Sequence, residues 1–115
     1  MLLTDDALAA RDEAESRVPG NRKACVARVR VLLERLADRG MLRVPDEFRD
    51  EGGNIWAVRG RCGLRAYGFF GRDRSRGRTF IIVHYVLKKD NKARKSDLTR
   101  ARAARDASQG KNNGA

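Results

Sequence analysis

Residues 78–87, Arg-Thr-Phe-Ile-Ile-Val-His-Tyr-Val-Leu, restrict the fold more than any other stretch of the chain. They are dense in β-branched and aromatic side chains and too short for a buried helix, so they read as a strand at the centre of a sheet. Alternation divides the run and its continuation into two sets. Phe80, Ile82, His84, Val86 and Lys88 form one, and Ile81, Val83, Tyr85, Leu87 and Lys89 the other, with the choice of inner face left open. Two further strands are predicted at 54–60 and 64–71, joined by a turn at Arg61-Cys62-Gly63. In the second of them Arg65, Tyr67 and Phe69 face opposite to Leu64, Ala66 and Phe70. A charged loop spans 72–77.

Helical periodicity precedes the strands. Thr4 or Asp5 can cap a first helix reaching about Arg17, and Val18-Pro19-Gly20-Asn21 ends it. A second helix is predicted over 22–39, because Cys25, Val29, Leu32, Leu33 and Leu36 share one face and Gly40 supplies a stop. Residues 41–53 read as a polar link. Ser96 or Asp97 could cap a last helix to about Ala107, leaving 108–115 as a disordered tail. The expected architecture is one α+β domain over 1–107, with a helical pair packed on one face of a small antiparallel sheet of three to four strands and a C-terminal helix. The other face is then wet.

Charge narrows the partners. Residues 1–53 carry 10 basic and 11 acidic side chains, net −1, whereas 54–115 carry 16 and 4, net +12, so the second half holds the whole excess of +11. Such a field attracts polyanions, nucleic acid above all, although a biased composition serving solubility alone would look similar. The N-terminus has no secretory leader pattern and no stretch approaches a membrane span, so a cytoplasmic protein with no membrane partner is expected. Cys25 and Cys62 are too few for a metal set and are expected as reduced thiols.

A face bearing arginine, tyrosine and lysine suits RNA cleavage by the RNA's own 2′-hydroxyl. That reaction needs a base for the hydroxyl, cations for the crowded phosphate and an acid for the departing oxygen. The acids after Gly53, Asp73, Asp90, Asp97 and Asp106, are too scattered for a two-metal nuclease, and no cofactor is expected.

Two segments resemble the phage-derived branch of the RelE/HigB toxins. One is Ile55-Trp56-Ala57-Val58-Arg59 followed by Leu64-Arg65-Ala66-Tyr67-Gly68-Phe69-Phe70. The other is Ile82-Val83-His84-Tyr85-Val86-Leu87-Lys88-Lys89 with Lys92 and the start of the last helix. The likeness covers about half the chain. Members usually begin with a strand before the helical pair, for which residues 1–4 leave little length, and Ala93-Arg94 stands where the family commonly has Thr-Pro.

The resemblance implies a type II toxin acting as a ribosome-dependent mRNA endoribonuclease, with mRNA, the ribosome and a cognate antitoxin as partners. Arg65 would then stabilise the attacked phosphate, and Lys88, His84 and Tyr67 complete the candidate catalytic set. Arg59, Arg61, Lys89, Lys92, Arg94 and Lys95 would hold RNA. Tyr67 and Tyr85 either stack on a base or pack in the core, and an imidazole in mid-strand such as His84 is more often a hydrogen-bonded structural residue than a catalytic one. A non-catalytic nucleic-acid-binding protein with the same basic face is the alternative. A DNA-binding regulator is disfavoured by the acids on the exposed side of the helical pair.

Overall fold

The strand predicted from the apolar run is β5 (Gly77–Leu87), and nearly everything else packs against it or its neighbour. The computed structural model describes residues 2–40, 42, 46–73, 77–88 and 95–113. Along one edge β5 pairs antiparallel with β4 (Leu64–Asp73), and along the other it pairs parallel with the short β1 (Leu2–Leu3). Beyond β4 lie β3 (Trp56–Arg59) and β2 (Phe48–Asp50), giving the order β1-β5-β4-β3-β2. The expectation of α+β holds. The sheet, however, has five strands and is mixed, because the two segments too short to show an alternating pattern, Leu2–Leu3 and Phe48–Asp50, both pair.

Helix α1 (Asp5–Ser16) starts where the sequence places it. The Thr4 side chain accepts from the Ala7 N–H at 3.2 Å, and Asp5 and Asp6 sit in the positive first turn. A short 3-10 turn, Gly20–Arg22, leads into α2 (Lys23–Arg39), which ends at Gly40 with φ 73°. The two helices are tied by Arg30, whose guanidinium forks onto Glu15 at 2.8 and 2.5 Å. Val29, Leu32, Leu33 and Leu36 enter the core with Phe48, Val58, Leu64, Ala66, Phe80 and Ile82. Each of these side chains apart from Ala66 stabilises the fold by about 1.5–3 kcal/mol.

The helices do not all lie on one face. Helix α3 (Lys95–Asn113) covers the side of the sheet expected to be wet, where Ala101 is buried with Ile55, Ala57, Tyr67, Phe69, Ile81 and Val83. Its far half is held by Arg105, which donates to the Gly53 carbonyl, and by Arg102, which donates to the Glu51 carbonyl at 3.4 Å. The helix continues through 108–113, where the sequence predicts a disordered tail. Once its first turns are packed, each added residue extends an existing hydrogen-bond ladder.

A β-bulge in β5 corrects the predicted alternation. Tyr67 pairs with His84 but Gly68 pairs with Ile82, so Val83 is an extra residue and the facing changes there. Phe80, Ile82, Tyr85 and Leu87 face the helical pair, while Ile81, Val83, His84, Val86 and Lys88 lie on the α3 side.

Cys25 and Cys62 are not free thiols. Helix α2 lies against the turn between β3 and β4, which brings the two Cα atoms to 6.1 Å, and a disulfide joins them. Sequence separation, 37 residues here, gives no hint of that proximity. No helix among the described residues is long and apolar enough to cross a membrane.

The same turn needs Gly63. Its φ is 96°, its carbonyl accepts from the Lys88 N–H at 2.8 Å, and a Cβ would stand 1.8 Å from the Lys88 carbonyl oxygen. Gly52, with φ 87°, has nothing within 4 Å of a Cβ. Gly52→Ala should therefore cost only about 1–2 kcal/mol of stability through left-handed strain, and Gly63→Ala about 1–3 kcal/mol more. Equal losses in denaturant unfolding would contradict the close approach of the turn to Lys88.

Candidate functional site

Strands β3, β4 and β5 bring a polar cluster onto the α3 side of the sheet. Arg59 of β3 stands opposite Arg65 of β4, and one step further along, Tyr67 of β4 stands opposite His84 of β5. The Tyr67 and His84 rings stack with centroids 5.8 Å apart and planes inclined by 22°. Lys88 follows on the same side just beyond the end of β5. The first turn of α3 then lowers Asp97 onto the group: His84 Nε2 donates to Asp97 Oδ1 at 3.1 Å, and the Lys88 ammonium meets Oδ2. An ionised carboxylate can only accept, so Nε2 carries a proton in this contact, and in the neutral form of the ring Nδ1 would be the acceptor.

Burial and charge act against each other throughout. Arg65 is 2% exposed and Lys88 8%, and Tyr67 is fully buried. Burial by itself pushes the Asp97 carboxyl up, but the hydrogen bonds from Lys88 and His84 outweigh it and hold the group below the usual carboxylate range. For Tyr67 burial wins. Its hydroxyl is raised despite the pull of the Arg65 guanidinium, and it stays protonated at neutral pH. Arg59 is lowered from the ordinary arginine value by burial first and then by the positive charges of Arg65 and Arg49.

The four residues expected to do chemistry, Arg65, Tyr67, His84 and Lys88, thus come together. The wider set is scattered. Arg59 adjoins the cluster, and Lys95 is exposed at the start of α3. Arg61 lies in the β3–β4 turn beside the disulfide and lines a different surface. Tyr85 is 2% exposed on the opposite face, where burial above all, and then the Glu15 charge, push its hydroxyl far up. It has no access to a base. Lys89, Lys92 and Arg94 lie outside the described residues.

Sequence reasoning missed Asp97 as a partner because it read the residue as a helix cap. The available signal was its rarity, one of four acids in the basic half. Arg49 and Glu51 also escape the sequence, because 41–53 shows no strand pattern; their charges reach Arg59, and that of Glu51 reaches Tyr67 as well. Among the described residues no three His, Cys, Asp or Glu side chains converge as a metal set would. No model of a known family matches the chain, and no curated protein does.

The depressed Asp97 carboxyl links stability to pH. A carboxyl lowered on folding contributes stability that is present above the ordinary range near pH 4 and is lost as the pH falls through its folded value. Asp97→Asn should cost about 3 kcal/mol at pH 7, because the Lys88 charge stays buried without its partner. The penalty should shrink below pH 4. Chemical unfolding of parent and variant between pH 3 and 7 measures both effects, and a constant small difference across that range would count against the pairing.

Proposed function

We propose that the protein is the toxin of a type II toxin-antitoxin pair, cutting messenger RNA on the ribosome in the cytoplasm with side chains alone. The observation that carries this reading is the bulge at Val83, which sets His84 and Lys88 on the same side of the sheet as Arg65 and Tyr67. RNA transesterification needs a proton acceptor, a cation and a proton donor within a few ångströms of one phosphate, and this cluster holds each kind of group.

His84 is the base in this reading. Asp97 fixes its Nε2–H, and Nδ1 is left to take the proton of the 2′-hydroxyl as that oxygen attacks the adjacent phosphorus. Arg65 neutralises charge gathering on the phosphoryl oxygens. Tyr67, kept protonated by burial, donates to the departing 5′-oxygen. Lys88 adds positive potential and holds Asp97 in place. Arg59 and Lys95, with Lys89, Lys92 and Arg94 from the basic half, bind the flanking backbone and ribosomal RNA. A cognate antitoxin covers this basic face when the toxin is silent.

One observation favours a second reading, a nucleic-acid-binding protein that does not cut. The His84 side chain is only 14% exposed, and Arg65, Tyr67 and Lys88 are covered, so a phosphate reaches them only if the first turn of α3 moves aside.

Mapping RNA ends in a translating extract separates the two. His84→Gln should slow cleavage by about 10²–10⁴-fold, and Arg65→Lys, which keeps charge but loses the planar fork, by about 10²-fold. Unchanged cleavage in folded His84→Gln would remove the histidine from the mechanism, and a folded parent that binds RNA without cutting would favour the second reading. Either way, binding should weaken steeply with salt. If roughly 6–10 phosphates are neutralised, affinity should drop about 10³–10⁵-fold between 50 and 200 mM, whereas a flat titration would exclude backbone binding.

A further inference from the structure

The Cys25–Cys62 disulfide is only half-buried, and it opens on a feature the RNA reading does not use. On its inner side Gly60 makes room for the bond: a Cβ there would stand 2.5 Å from Cys25 Sγ and 2.8 Å from Val29 Cγ2. On its outer side the two cysteines form part of the wall of a cavity of about 620 Å³, together with Arg22, Arg28, Glu47 and Arg61. Three arginines and one glutamate thus line it. Arg28 is held by Glu47 through a fork of 2.9 and 2.8 Å, whereas Arg22 and Arg61 are exposed.

We propose that this cavity is a thiol–disulfide exchange site for a small thiol that carries carboxylates. The arginines would bind the carboxylates and raise the local concentration of the anionic nucleophile. The surroundings also choose the leaving sulfur. Cys25 is the third residue of α2, at the positive end of the helix, and the Cys62 N–H donates to its Sγ at 3.3 Å, so a thiolate is stabilised there.

The incoming thiolate attacks Cys62 Sγ. A bond forms between the two sulfurs, the Cys62–Cys25 bond breaks, and its electron pair goes to Cys25 as thiolate. A second molecule of the same thiol attacks the ligand sulfur of the mixed disulfide and releases Cys62. Two small thiols become one small disulfide, and the protein takes up the two electrons and two protons. Opening the bond releases the β3–β4 turn from α2, and that turn holds the Lys88 N–H through the Gly63 carbonyl.

The test needs no RNA and does not depend on the proposed activity. Glutathione, an anionic thiol, and cysteamine, a cationic one, are compared as reductants of the intact protein at low salt, with rates corrected for thiolate fraction. Glutathione should be faster by about tenfold, the effect of roughly 1.4 kcal/mol of charge attraction. The preference should fall to about twofold or less in the Arg22→Ala/Arg61→Ala double variant. Both side chains are exposed, and thermal unfolding checks that the variant keeps its fold. Amide exchange at Lys88 should quicken on reduction in the parent.

Equal rates for the two thiols, or a preference that survives in the double variant, would overturn the proposal. A parent that is isolated with two thiols and fails to form the Cys25–Cys62 bond with oxidised glutathione would overturn it as well.

Discussion

The ladder between β4 and β5 carries the molecule, and its one irregularity decides what each face of the sheet presents. With strict alternation, His84 and Lys88 would have turned toward the helical pair along with Phe80 and Ile82, and Tyr85 would have met α3. The extra residue at Val83 exchanges these roles within a single strand. Upstream of the bulge both faces are apolar, as suits a strand covered by helices on either side. Downstream the α3 side becomes polar, and there Asp97 finds its two partners.

That exchange explains how much was legible in the sequence. Periodicity located the first two helices, the strands β3, β4 and β5, and the turn at Gly63, because each rests on local rules of spacing and on glycine or proline. It could not find β1 or β2, since two or three residues carry no period of their own and pair only because β5 and β3 offer open edges. The bulge was equally hidden: nothing in Ile82-Val83-His84 distinguishes an extra residue from an ordinary one. The four residues forecast for chemistry still met on one face. Arg65 and Tyr67 share a parity on β4, and His84 and Lys88 share one on β5 downstream of the bulge, so the shift moved that pair together.

The places of Tyr85 and the cysteines are hidden from the sequence for a different reason. Their fates depend on the packing of α1 and α2 against the sheet, which no local pattern encodes. Tyr85 sits near Glu15 and Arg30, a charged pair that ties the two helices together. Cys25 and Cys62 meet because the N-terminal turn of α2 abuts the β3–β4 turn, and Gly60 leaves the space where the sulfurs join. One short turn thus bears the disulfide on one side and holds the end of β5 on the other.

The energetics of the cluster bear on why it exists. Taking the Lys88 and Asp97 charges out of water costs several kcal/mol per ion, and a well-packed apolar pair in the same space is commonly as stable or more so. Arg65, at 2% exposure, adds a third desolvated charge beside a buried tyrosine hydroxyl. Ile55, Ala57, Phe69, Ile81 and Val83 fill the same side of the sheet without such costs, so α3 could dock on apolar contacts alone. A purely structural contact gains little from four polar residues gathered under the helix start. Under the ribonuclease proposed above, the same convergence would supply positive charge, a tethered imidazole and a protonated phenol around one phosphate.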